Sequence, residues 1–147
     1  MSQEKLLKAF IESTTNYKIE VSDNSMLPDE LKDNEFIEFT VKPPVLSILA
    51  NCAIPMQKIP KDLLNPEKEI DFAIAVNYVQ EMAEIFSILA HGKVSKYPDW
   101  YPAFIINNIT PKELFYLFQE VAMKTQSSFF LTSFQIAGVT NPMMMMI

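Results

Sequence analysis

Residues 65–92 constrain the fold more than any other stretch of the chain. Asn65-Pro66-Glu67 reads as a helix start. Asn65 is a capping residue, Pro66 suits the first helical position, and Glu67 and Glu69 favour the positive end of a helix dipole. Gly92 is the matching stop. The pattern predicts a helix running to about Ala90, about 25 residues or ~38 Å at ~1.5 Å per residue. Its apolar positions (Ile70, Phe72, Ala73, Ile74, Val76, Val79, Met82, Ala83, Ile85, Phe86 and Leu89) cover more than one stripe. Asp71, Asn77, Gln80, Glu81 and Glu84 leave only a limited wet face. Such a helix must be covered on at least two sides, by its own domain or by a partner.

What precedes it is mixed. Leu6, Leu7, Phe10 and Ile11 fall on one face of a short helix over 2–13, which Thr14–Asn16 breaks. Tyr17–Val21 alternates apolar and polar, as does 36–42 with Phe36, Ile37, Phe39 and Val41. Two strands are expected, joined by the polar loop 22–34, a long connection for a hairpin. Pro43-Pro44 ends the second strand and opens a short helix over Val45–Ala53. Pro55 and Pro60 then predict an extended, turn-rich connector over 54–64.

Beyond Gly92, Pro98 and Pro102 bracket the aromatic run Tyr97–Tyr101, with a short helix following through Ile106. Thr110-Pro111-Lys112-Glu113 is a capping box that starts a second long helix, carrying Leu114, Phe115, Leu117, Phe118, Val121 and Ala122 toward Phe134. The fold class expected is α+β and predominantly α-helical, with a small N-terminal β element followed by long helices. The organisation is 1–64 as helix, β element and Pro-rich connector, 65–138 as the helical region of the same domain, and 139–147 as a flexible apolar tail.

Composition excludes several function classes. All twelve basic residues are lysine, the net charge is −6, and the chain has one histidine, one cysteine and two glycines. An acidic, arginine-free surface with scattered lysines opposes nucleic-acid binding. Two isolated glycines cannot build a phosphate-cradling loop. One cysteine makes neither an internal disulfide nor a multi-cysteine metal site. No signal segment and no run of ~18 uninterrupted apolar residues is present, so a cytosolic protein is expected.

Individual residues read the same way. His91 suits the negative end of a helix, with no nucleophile or carboxylate at a telling spacing. Cys52 lies among Ala50, Asn51 and Ala53 and reads as a buried structural thiol. Glu67/Asp71 and Glu81/Glu84 read as a solvated helix face, since no Glu-x-x-His motif accompanies them. The expectation is therefore no catalytic residues, no cofactor and no metal. The cluster Tyr97, Trp100, Tyr101 and Phe104 is either a core plug or a partner-facing patch.

One stretch carries a family resemblance. Phe39-Thr40-Val41-Lys42-Pro43-Pro44-Val45-Leu46-Ser47-Ile48-Leu49 is followed by Ala53-Ile54-Pro55 and then Leu63-Leu64. It resembles a pattern in small tail-assembly proteins of long-tailed bacteriophages. There a strand ends in a basic residue and proline, a short apolar helix follows, and an Ile-Pro with paired leucines leads into a long helix. The resemblance covers roughly residues 35–135. It implies a tail assembly chaperone, not an enzyme, acting in the bacterial host cytoplasm. Such proteins coat the helical tape-measure protein and recruit tail-tube subunits. The partner-binding residues expected are Pro43, Leu46, Ile54, Pro55, Leu63 and Leu64 from the motif. Trp100 and Tyr101 join them from the aromatic cluster, and Phe129 and Phe130 from the Phe-rich helix. A virion connector or baseplate accessory protein, a small enzyme or its regulatory subunit, and a small cytosolic adaptor are the alternative readings, and self-association into a homo-oligomer is left open.

Overall fold

Two antiparallel strands lie across a set of helices that share one buried core. In the computed structural model, residues 14–64 and 68–121 are described. The order is β1 (Thr15–Glu20), β2 (Phe36–Val41), α1 (Leu46–Gln57), α2 (Lys61–Leu64), α3 (Phe72–Ala75), a 3-10 turn at Val76–Tyr78, α4 (Val79–His91), α5 (Trp100–Asn108) and α6 (111–121). The α+β, mainly helical class holds. The expected helix over 2–13 and everything past 121 lie outside the described residues.

The strands form where period-2 alternation placed them. Tyr17 pairs with Phe39 and Ile19 with Ile37, so opposed apolar residues share one face. The strand starts earlier than Tyr17, because Thr15 and Asn16 pair with Val41 and Thr40. Thr40 Oγ1 donates to Asn16 Oδ1 at 2.8 Å and holds that end. The long connection is closed at its base by Val21 N donating to Glu35 O at 2.8 Å. Leu27 is buried and anchors its middle.

The buried face of the sheet lies on α4. Phe86 sits with its ring centroid 5.3 Å from Tyr17 and 5.5 Å from Phe39, both edge-on. On its other side, Phe39 meets Tyr101 at 5.1 Å and Phe104 at 5.9 Å. The aromatic cluster is thus largely a core plug: Phe104 is fully buried, while Tyr97, Trp100 and Tyr101 are half-buried around it. Met82, Ala83, Ile85, Ser87 and Leu89 complete an α4 that is covered on nearly every side. Ser87, the one fully buried polar residue among the described residues, donates from Oγ back to Ala83 O at 2.7 Å.

Three sequence expectations are corrected. First, the long helix does not begin at Asn65-Pro66. Residues 68–71 are non-helical, and the helix begins at Phe72. Asp71 caps it, its side chain accepting from Ala73 N at 3.1 Å and Ile74 N at 3.4 Å. Asp71 therefore satisfies orphan donors instead of lining a wet face. The helix then narrows to a 3-10 turn at Val76–Tyr78 before regular α geometry resumes. It ends as expected at Gly92, whose φ of 65° is left-handed.

Second, residues 54–64 are not extended. α1 runs through Pro55 to Gln57, and α2 adds another turn. Pro55 stands in the last turn of α1, where the missing donor costs only one ladder bond. Burial of Cys52, Pro55 and Ile59 along the same side offsets it. Third, the short helix does not follow the aromatic run but begins inside it, at Trp100, and extends to Asn108, two residues past Ile106. The capping box forms in its forward half: Glu113 N donates to Thr110 Oγ1 at 3.2 Å.

Because Asp71 alone caps this helix, Asp71→Ala should cost about 1 kcal/mol. Thermal unfolding followed by circular dichroism checks it. Asp71→Asn, which keeps the acceptor, should recover most of the loss.

Candidate functional site

α1 is apolar on both sides. Ile48, Leu49, Cys52 and Pro55 face the core. Leu46, Ala50 and Ile54, one helical turn apart from each other, form an exposed stripe on the opposite side. Leu46 is 65% exposed and Ile54 69%. Val45, just before the helix, is exposed too. A helix that buries one stripe and shows a second apolar stripe to water is unusual for a self-contained domain.

A second apolar surface lies where α3 meets α6. Phe72, Ile74 and Val76 are each roughly half exposed, at 45%, 46% and 51%, and only Ala75 of this turn is buried. Phe72 stacks on Phe115 with centroids 5.2 Å apart and planes 23° apart. Phe72, Ala73, Val76, Pro111 and Phe115 line an open groove of ≈ 550 Å³ beside Lys112. The Lys112 ammonium lies 6.0 Å from the ring centroid of the exposed Tyr116. Covering a few hundred Å² of such surface yields several kcal/mol before ordering costs, at about 25 cal/mol per Å².

The residues expected to bind a partner divide into three groups. Pro43, Leu46 and Ile54 are exposed, Pro43 just past the end of β2 and the other two on α1. Trp100 and Tyr101 are half-buried, their rings 4.7 Å apart, with Tyr101 also beside His91. Pro55 and Leu63 are buried and serve the core, so no partner reaches them in this conformation. Leu64 ends α2. Phe129 and Phe130 lie outside the described residues. Phe72, Ile74 and Val76 were expected only as part of an over-apolar helix to be covered by its own domain or a partner, not as individual partner-binding residues. Their signal was the five-residue apolar run 72–76, which has no polar position to turn toward water.

His91 Nε2 lies 3.2 Å from Ser95 Oγ, an exposed local contact at the end of α4. No group of three or more His, Cys, Asp or Glu is placed to hold a metal among the described residues. Glu81 keeps Oε2 out of solvent without a hydrogen-bond partner. Burial pushes the Cys52 thiol up to about 12, which keeps it protonated and inert at neutral pH. Tyr17 is raised well above the usual phenol range, first by burial and then by the negative Glu120. Its OH donates to Glu120 Oε1 at 3.0 Å.

Both shifts make the fold prefer the neutral form. Their stabilising contribution is complete below the unfolded-state values and is lost as pH rises toward the folded ones. For Cys52 that window runs from about 9 to about 12. The urea midpoint should therefore fall steadily as pH is raised through this range. Cys52→Ala should show a shallower fall, retaining the part that belongs to Tyr17.

The helix Phe72–His91 is, over its 20 residues, long and apolar enough by length and composition to cross a membrane. Here its second half is the centre of the core, and Glu81 and Glu84 lie within it. No family model matches the chain, and comparison with curated proteins and with solved structures returns no match.

Proposed function

We propose that this chain is a tail assembly chaperone of a long-tailed bacteriophage. It acts in the host cytoplasm, binds the helical tape-measure protein and helps recruit tail-tube subunits. The observation that carries this reading is the exposed apolar stripe Leu46–Ala50–Ile54 on α1. It falls within the segment whose sequence resembles that family. A protein that shields an apolar helical client needs open apolar surface held on a firm scaffold. α1 supplies the surface, and its other side, at Ile48, Leu49 and Cys52, is fixed in the core.

Co-expression with the product of a very long helical reading frame immediately downstream, the tape-measure candidate that this reading requires, tests it. A stable complex by size-exclusion chromatography with light scattering is expected. Leu46→Asp/Ile54→Asp should abolish it while leaving the unfolding midpoint nearly unchanged, because both side chains are exposed. Absence of a complex with the natural chain, or an unaffected complex with the double variant, overturns the proposal.

A further inference from the structure

We propose that the cavity between the end of β2, the start of α1 and the end of α4 binds a carboxylate carried on a short apolar chain. The inference does not rest on the tail-assembly reading. The cavity holds ≈ 390 Å³, within the size range of small-ligand sites. Lys42, Lys93 and His91 line it, which brings two of the twelve lysines and the only histidine to one place. No aspartate or glutamate is among the described residues that line it. Among the described residues neither lysine pairs with a carboxylate; the ion pairs there involve Lys32, Lys68 and Lys96 instead.

In a chain of net charge −6, this is a local concentration of positive charge beside low-dielectric walls. That arrangement focuses field onto an anion. The walls are Pro44, Ile48 and Leu89, the last two buried. They offer an apolar seat for a hydrocarbon chain. The carbonyl end of α4 carries an opposing partial charge. Gly92 N–H already occupies Ile88 O at 3.1 Å, and two full ammonium charges outweigh the half-charge of a helix end. The cations are lysines, with apolar walls and no arginine fork. This suits a single carboxylate with an aliphatic body better than phosphate. Such a ligand is either a free medium-chain fatty acid or the carboxyl end of a polypeptide with apolar last residues.

Amide chemical shifts of the full chain, titrated with octanoate and with the tetrapeptide Leu-Leu-Val-Leu as free acid, test the proposal. Saturable shifts confined to residues 42–48 and 89–93 are expected with at least one of them. Octanoate alone identifies the fatty-acid source, the peptide alone the polypeptide source, and both together the shared chemistry. Octanol, the amidated peptide and inorganic phosphate should bind at least ~5-fold more weakly. Lys42→Gln/Lys93→Gln should weaken binding about 5-fold, the size expected for two solvent-screened charge contacts. Lys18→Gln/Lys112→Gln should leave it unchanged. The proposal fails if neither acid shifts these amides, if octanol or phosphate binds as well, or if the Lys42/Lys93 variant binds normally while its circular dichroism spectrum is native.

Discussion

Phe86→Ala should cost about 3–5 kcal/mol, a large share of the ~5–15 kcal/mol that holds a typical domain folded. Phe86 is 1% exposed and lies where the sheet meets α4. Its ring is the common neighbour of Tyr17 on β1 and Phe39 on β2. Removing it leaves a cavity under both strands and loses two edge-on aromatic contacts, each worth about 0.5–1.5 kcal/mol beyond area burial. Urea unfolding followed by tryptophan fluorescence checks the value. Trp100 reports directly, because its ring is 6.2 Å from Phe39. Phe86→Leu fills most of the volume and should cost markedly less. If Phe86→Ala costs under ~1 kcal/mol, the sheet does not depend on this contact.

The same residues explain what could be read from the chain before its structure. The strands were legible because alternation has only one solution when one face is buried: Ile37, Phe39 and Val41 had to point together. The stop at Gly92 was legible because only glycine takes the left-handed cap cheaply. The start of that helix was not. Two acceptable caps, Asn65 and Asp71, precede the same apolar run, and local chemistry does not rank them. Pro55 misled for a related reason. Its local cost is real, but burial along α1 outweighs it, and burial is a property of the assembled core.

The candidate site was legible only in part. Pro43, Leu46 and Ile54 are exposed as a partner-binding surface requires, whereas Pro55 and Leu63, from the same sequence pattern, are interior. Apolarity alone does not distinguish a residue that packs inward from one that stays exposed. In α1 both kinds alternate around a single helix, and only the position of the core separates them. The cationic cavity was invisible for a different reason: Lys42 and Lys93 are distant in sequence and become neighbours only when β2 and α4 pack.

Asn108→Ala should cost about 2 kcal/mol and free the β1–β2 connection locally. Asn108 Oδ1 accepts from both Ser22 N and Asp23 N, each at 2.7 Å. Its Nδ2 donates to Asp23 O at 3.0 Å and to Phe104 O at 2.9 Å. One amide side chain thus ties a loop to the end of α5 across more than eighty residues of sequence, with all of its polar directions used. Three of those bonds reach the loop. At ~1 kcal/mol net apiece, and with water recovering some, about 2 kcal/mol is the expected sum. Hydrogen exchange should quicken at Ser22 and Asp23 before it changes in α4. Asn108→Asp is the sharper test. It keeps the two acceptor contacts but turns a carboxylate oxygen toward the carbonyls of Asp23 and Phe104, so it should not restore stability at neutral pH. Asn107→Ala supplies the control: Asn107 Nδ2 bonds only Ala103 O within its own helix, and its loss should stay within about 0.5 kcal/mol. Equal effects at 107 and 108 would mean that the connection is held by Leu27 and the closing bond at Val21 instead.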